Sequence, residues 1–287
     1  MIPAHRLADA RPHPPIPAHR LADARPHPAP GPLLLSGGRD HTRASAAGDR
    51  ALLAGLKRVA TPRAVVVSTA SGGRPWSATE MRATRHWERL GVAVELVTAS
   101  GDAAGTHPPA ALREADLILL TGGRPPRSAT VAATALWPSI VERWRQGAAL
   151  AGSSTGAAVL CGWRRDVGTG HPLRFVRSTG VVPDVAAAPH FNRSVVRRWT
   201  VAASRAQPYL TIIGVDERTA LVGCDGRFTV HGRGAVTIVR AGRCRRYAAG
   251  SRLHLPLHAP APAPPFPFPW APLDTGPARR VTEPLSG

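Results

Sequence analysis

Short, unbroken apolar runs alternate with helical periodicity along the first half of the chain. Leu33-Leu34-Leu35 leads into Ser36-Gly37-Gly38, and Ala64 to Val67 leads into Ser68-Thr69-Ala70-Ser71-Gly72-Gly73. Ala83, Trp87 and Leu90 share one helical face that Gly91 closes, and a third run follows from Val92 to Val97. Leu117 to Leu120 runs into Thr121-Gly122-Gly123. A helical stretch to Gln146, interrupted at Trp137-Pro138 and capped by Gly147, precedes a fifth run at Ala148 to Ala151. Continuous apolar strands separated by helices predict a parallel sheet covered on both faces. In such sheets the chemistry sits beyond the carboxyl ends of the strands. Those ends are small and polar here: Ser36-Gly37-Gly38, Ser68-Thr69, Thr121-Gly122-Gly123 and Ser153-Ser154. After about Arg177 the pattern changes. Val181-Val182, Leu210 to Val215, Ala220 to Val222, Arg227 to Val230 and Ala235 to Val239 read as short strands joined by glycine turns, an antiparallel extension of the sheet.

The ends of the chain lack this patterning. Ile2 to Pro14 reads IPAHRLADARPHP and Ile16 to Pro28 repeats it, a period of 14 residues. Two copies are too few for a solenoid, and the prolines forbid a continuous helix. Its histidines, His5, His13, His19 and His27, offer metal ligands in principle, but a disordered extension is the expected state of residues 1–31. Residues 255–287 carry APAPAPPFPFPWAP, a polyproline-type tail. The expected folded unit is residues 32–254.

Of 287 residues, 43% are hydrophobic, enough for a packed core. No apolar run reaches the roughly 18 residues of a membrane span, and the N-terminus lacks the order of a secretory signal. A cytoplasmic protein without membrane partners is expected. Cys161, Cys224 and Cys244 are too few and too spread for a disulfide framework or a zinc site, so no metal is expected. The formal net charge of +19 raises nucleic acid as a partner. Lys57 is the only lysine, and the arginines are scattered rather than clustered. That pattern fits a GC-rich coding bias, and no specific nucleic-acid partner is expected.

Gly152-Ser153-Ser154-Thr155-Gly156 is a G-x-S-x-G placed between an apolar strand and the helical run Ala157 to Leu160. A tight strand-to-helix turn lifts the central side chain out of the sheet, and the flanking glycines remove Cβ atoms that would clash. The helix N-terminus behind it favours a developing oxyanion. The competing reading is a serine that merely caps the helix. A serine nucleophile needs a base. His190, in Ala-Pro-His-Phe-Asn-Arg, and His171 are the candidates, and His190 is preferred because His171 follows Gly168-Thr169-Gly170 in an exposed loop.

Four segments in order carry a resemblance: Thr121-Gly122-Gly123, Ala151 to Ala158, Pro189-His190-Phe191-Asn192-Arg193, and Gly214 to Leu221. Together they resemble the peptidase E and cyanophycinase family of serine peptidases, whose domain is similar to class I glutamine amidotransferases. The resemblance implies a flavodoxin-like three-layer sandwich, α/β in class, with a mostly parallel sheet. It implies Ser154 as nucleophile, His190 as general base, and the backbone N–H groups of Thr155 and the Gly122-Gly123 turn as oxyanion hole. The substrate implied is a small, aspartyl peptide, hydrolysed with no cofactor, and a homodimer is one expected assembly. In the family the third triad member lies between the serine and the histidine. Asp166 and Asp184 are the acids there, and Asp166 is preferred. Asp216-Glu217 matches a family turn and reads as structural support.

The chain departs from the family at Thr155, where alanine is usual, and at Arg124-Pro125-Pro126 after Gly123. The spacing of Arg193, Arg197 and Arg198 differs from that of cyanophycin-cleaving members. Arg193 and Arg197, close in sequence to His190, are the expected contacts to an acidic substrate, because guanidinium forks bind carboxylates bidentately. Arg164 and Arg165 offer further guanidinium groups. An α/β-hydrolase esterase would pair Asp216 or Asp225 with His231 or His254, but too few parallel strands follow Ser154. A non-catalytic binding protein on the same scaffold is the other alternative. Cys161 cannot replace Ser154 at the turn and reads as helix core packing.

Overall fold

The computed structural model describes residues 29–56, 60–68, 77–98, 109–123, 131, 134, 136–166 and 173–255. The N-terminal repeat, the proline-rich tail, His171 and Arg124-Pro125-Pro126 lie outside them.

The apolar runs become the central strands β1 (Leu33–Ser36), β2 (Arg63–Ser68), β3 (Ala93–Thr98), β4 (Leu117–Leu120) and β5 (Ala149–Ser153). They lie parallel in the order β3-β2-β4-β5-β1. Alternate residues bury themselves on opposite faces. Leu33, Leu35, Val65, Val67, Ile118 and Leu120 join one cluster, while Leu34, Val66, Leu117 and Leu119 join another. That is the reason the runs in β1, β2, β4 and β5 are apolar, whereas β3, at the sheet edge, exposes Ala93 and Glu95.

Helices α1 (Ala46–Ala54) and α2 (Ala78–Glu88) cover one face of this sheet. Ser77 starts α2 with a capping box to Glu80, and Gly91 ends the segment in the left-handed region at φ +83°. On the other face lie α3 (Ala110–Glu114), α4 (Leu136–Arg145) and α5 (Thr155–Leu160). Pro138 interrupts nothing: α4 begins at Leu136, so the proline falls in the first turn, where its missing N–H has no intrahelical partner to lose. Cys161 is not helical either. It opens strand β6 (Cys161–Arg165), fully buried, and burial pushes its thiol up to about 12.

The second half of the chain departs from a simple antiparallel extension. Strands β10 (Thr219–Cys224), β11 (Arg227–Gly232) and β14 (Arg252–His254) do extend the large sheet antiparallel beyond β1. The remainder forms a second sheet of six strands. It comprises β6, β7 (Phe175–Arg177), β8 (Val182–Pro189), β9 (Thr211–Val215), β12 (Ala235–Arg240) and β13 (Arg243–Ala248), in the order β13-β12-β9-β8-β6-β7. Within it β6, β8 and β9 run parallel. Helix α6 (Ser194–Ala206) makes the crossover from β8 to β9 and packs on β9 and β12. The second sheet shares the larger apolar cluster with the first, through Val185, Ala187, Ile213 and Val236.

Gly31 and Leu255, which flank residues 32–254, both bond to the fold. Gly31 exchanges hydrogen bonds with Trp144, through its N–H to the Trp144 carbonyl at 2.9 Å and its carbonyl to the indole N–H at 2.8 Å. Leu255 is buried, with its N–H on the Gly226 carbonyl. No helix among the described residues is long and apolar enough to cross a membrane.

Candidate active site

The carboxyl ends of β1, β5, β8 and β9 meet. At the end of β5, Ser154 adopts φ +51°, ψ −113°, a conformation that only a tight turn imposes on a non-glycine residue. The turn is this tight because Gly152 and Gly156 have no side chains. A Cβ on Gly152 would lie 2.7 Å from the Ala157 nitrogen, and one on Gly156 would lie 2.3 Å from the Leu120 carbonyl oxygen. Ser154 starts α5 without a side-chain capping bond. Its Oγ stands 2.9 Å from His190 Nε2 instead. The helix-capping reading of Ser154 therefore does not hold.

His190 follows β8 and also has a positive φ of 58°. Its N–H donates to the Gly37 carbonyl at 2.9 Å. Gly38, at φ +95°, lies against the imidazole: a Cβ there would be 2.4 Å from Cε1. The glycine turn after β1 thus forms the seat of the ring. The Ser154 N–H donates to the Ser36 carbonyl at 3.0 Å, so β1 fixes both residues.

His190 Nδ1 is 2.9 Å from Glu217 Oε1. Neither acid expected at this place is there. Asp166 directly follows β6; its N–H donates to the Arg174 carbonyl and its carboxylate lies 3.9 Å from Arg174 Nε. Asp184 is exposed on β8 and lines a different cleft, with Arg240 and Arg252. The reason is topological. Because β8 and β9 are parallel, with Pro189 opposite Val215, the residues that follow each strand emerge side by side. The antiparallel arrangement expected for β9 would have sent Glu217 to the opposite edge. The Asp216-Glu217 turn divides its labour: Asp216 Oδ2 accepts the Ala235 N–H at 2.9 Å, a structural role, while Glu217 faces the histidine.

Glu217 is closely held. Its N–H donates to Asn192 Oδ1, and Arg193 reaches Oε1 from Nε at 2.7 Å and Nη2 at 2.6 Å. Arg39 Nε lies 3.2 Å from Oε2. Burial alone would raise the Glu217 pKa. The hydrogen bonds of His190 and Arg193 and the charges of Arg193 and Arg39 outweigh it, and the carboxyl sits below the usual glutamate value. Arg193 is thus engaged with the acid, and Arg197 is exposed on α6; neither lines the cavity beside Ser154.

A second carboxylate lies behind the turn. Asp40 accepts hydrogen bonds from Ser36 Oγ and from Ser153 Oγ, the neighbour of Ser154. Burial raises its pKa, against the pull of both hydroxyls and of His190 and His86. The oxyanion candidates are close to Ser154 but not free. The Gly123 N–H donates to Thr155 Oγ1 at 2.8 Å, and that hydroxyl lies 3.2 Å from the Gly123 carbonyl. The hydroxyl that replaces the family's methyl therefore occupies one of the two N–H groups. Asp225, His231 and His254 belong to the antiparallel strands of the large sheet and their turn, away from Ser154, so the esterase pairing is not assembled. No group of three or more His, Cys, Asp or Glu residues suited to a metal occurs among the described residues.

A cavity of about 330 Å³ opens beside Ser154 and His190, walled by α5, the ends of β6 and β8, and α6.

The sequence profile of Peptidase family S51 matches residues 33–231. Cyanophycinases from Synechococcus elongatus and from Thermosynechococcus vestitus are each 36% identical over 104 residues, 33% of this chain and 32% of theirs. The match thus spans about a third of the length of these curated relatives. A peptidase from an acI-B1 Actinobacterium superposes with a TM-score of 0.64 at 25% identity, over 80% of this chain and 98% of that one. A putative peptidase E protein from Listeria monocytogenes EGD-e shares the fold, with a TM-score of 0.51 at 16% identity, over 71% of this chain and 99% of its own.

Proposed function

Because the chain belongs to peptidase family S51, and so to the peptidases, we propose that it hydrolyses amide bonds of short peptides through Ser154, His190 and Glu217. The observation that carries this reading is the unbroken relay of two 2.9 Å contacts, Ser154 Oγ to His190 Nε2 and His190 Nδ1 to Glu217 Oε1. Ser154 Oγ attacks the carbonyl carbon of the scissile amide while His190 Nε2 takes its proton. Glu217 accepts the Nδ1–H, fixes the tautomer and stabilises the imidazolium. The tetrahedral oxyanion lies towards the N–H groups of Thr155 and Gly123; the Thr155 hydroxyl must rotate away for Gly123 to serve. Collapse breaks the C–N bond, the amine leaves with the proton from His190, and water repeats the sequence on the acyl-enzyme.

Aspartyl peptides, implied by the sequence resemblance, are the substrates to try first. Arg193 and Arg197 would meet them only outside the cavity, and Arg193 only by sharing its guanidinium with Glu217. A fluorophosphonate probe tests the chemistry without knowledge of the substrate. Labelling at Ser154, abolished in His190→Ala, is the expected result. Absence of labelling in the folded protein would favour the non-catalytic binding protein.

A further inference from the structure

The cavity beside Ser154 is unlike an acid-binding pocket in most of its wall. Val159 of α5, Ala188 and Pro189 of β8, and Val195, Val196 and Trp199 of α6 line it. Val195 is 64% exposed, an uncovered apolar side chain at the rim. Besides the site histidine, the lining carries a charged pair from β6, Arg164 and Arg165. The Arg165 guanidinium stacks on the Trp199 ring at 4.4 Å from the ring centroid. Arg164 is half-buried, and its pKa is depressed by burial, partly offset by Asp166. Arg164 and Arg165 thus bring positive charge to an otherwise apolar wall, with the Arg165 guanidinium placed against Trp199. Asp166 is the nearby acid, and it is already shared with Arg174. An anion placed there gains charge-assisted hydrogen bonds.

The side of the site also matters. Pro189, His190 and the first turns of α6 form one wall of the cavity and Thr155, Ala158 and Val159 of α5 another, so the imidazole faces into it. That is the group which hands its proton to the departing amine. We infer that this cavity receives the departing residue of the substrate: a large apolar C-terminal residue, its free carboxylate held by Arg164 and Arg165. The inference rests on the proposed catalytic roles of Ser154 and His190 for its direction along the peptide. A volume of about 330 Å³ suits one residue rather than an extended chain. A recognised C-terminus next to the scissile bond limits hydrolysis to the last residue of a short peptide. The apolar wall sets a preference for leucine or phenylalanine over alanine or aspartate at that residue.

The experiment measures binding of dipeptides to the full chain carrying Ser154→Ala, by calorimetry, with both Ala-X and Asp-X series. Ala-Leu and Ala-Phe, or Asp-Leu and Asp-Phe, should bind about 30-fold tighter than the same dipeptide ending in alanine. Amidation of the C-terminus should cost about 10- to 30-fold, and Arg165→Met should remove most of that difference while keeping the apolar preference. Trp199→Ala should do the reverse, with a larger loss for Phe than for Ala. Equal affinity for Leu and Ala in both series, equal affinity for acid and amide, or no binding in either series overturns the inference. Fluorophosphonate labelling of the wild type separates the two ideas. Labelling without apolar discrimination removes the subsite alone. Discrimination without labelling removes the catalytic reading and leaves a peptide-binding pocket.

Discussion

The two sheets contribute to one site by different means. The large sheet supplies the nucleophile through local strain: a single tight turn between β5 and α5, with glycine on both sides and Ser154 at positive φ. The second sheet supplies the base and the acid through adjacency. His190 and Glu217 are 27 residues apart, and they meet because β8 and β9 are parallel neighbours. The loop after β1 joins the halves, since Ser36 and Gly37 hydrogen-bond to Ser154 and His190. One contribution is therefore a property of a short segment, and the other is a property of the topology.

If the halves act as one unit, their losses do not multiply. Ser154→Ala and His190→Ala should each reduce kcat/KM by about 10⁴-fold or more, and the double variant should be no worse than either. Steady-state kinetics on one peptide substrate measures all three. Multiplied losses would mean that the two sheets serve catalysis independently and that the 2.9 Å contact is incidental.

The next effect separates the acid that topology delivers from the acid that sequence order suggests. Glu217→Gln should cost about 10²- to 10⁴-fold in kcat, because an amide cannot accept the Nδ1–H and stabilise the imidazolium in the same way. Asp166→Asn should stay within about twofold. A large loss at Asp166 with none at Glu217 would return the acid to β6 and break the assignment.

Those two acids also mark how far the sequence is legible. Strands β1, β2, β4 and β5 carry continuous apolar runs because both faces of their sheet are covered there, and such runs can be read directly. The G-x-S-x-G turn is legible for the same reason that it works: its geometry is enforced by neighbours in the chain. Strand β13 leaves little trace, because its backbone pairs with β12 while Arg243, Arg245 and Arg246 are exposed. Strand β6 is masked by Arg164 and Arg165 at its end. With β6 hidden in this way, the parallel β6-β8-β9 set is not legible, and the Asp216-Glu217 turn reads as support alone. A signal was present. Gly214-Val215-Asp216-Glu217 ends an apolar strand in a small-to-acidic turn, as Ala188-Pro189-His190 ends another in the base. The 13-residue helix α6 between them makes the crossover that a parallel pair requires. The occupied Gly123 N–H could not be read at all, since a threonine rotamer is set by tertiary contacts.

That hydroxyl gives the next smaller effect. Thr155→Ala frees the Gly123 N–H from its 2.8 Å bond and should raise kcat about tenfold, whereas Thr155→Ser should stay near the wild type. A fall in kcat for the alanine variant would show that the hydroxyl itself assists the oxyanion, and the large sheet would then contribute more than a strained serine.

The last effect leaves the rate alone and concerns stability, and it asks whether acid acts on the two halves alike. His41, in the loop after β1, is held at about pKa 4, mainly by burial; His86 and Arg82 lower it further and Asp49 opposes them. Its ring lies 5.5 Å from that of His86, which is itself bonded to Asp49 at 2.8 Å, and its Nδ1 has no hydrogen-bond partner among the described residues. Between pH 4 and the ordinary histidine value of about 6.5 the unfolded chain binds a proton that the folded chain refuses. Stability from this group is therefore complete above pH 6.5 and is lost as the pH falls towards 4. The loss should be about 3 kcal/mol, or roughly 6 to 12 °C in Tm. His41→Asn keeps the positive φ of 63° accessible and cannot titrate, so it should flatten the dependence of Tm on pH over this interval. Activity at pH 7 should be unchanged, because His41 touches neither Ser154 nor the second sheet's pair. An unaltered acid slope in this variant would place the acid-sensitive element elsewhere, and the first to examine would be Asp49 and His86 against α2.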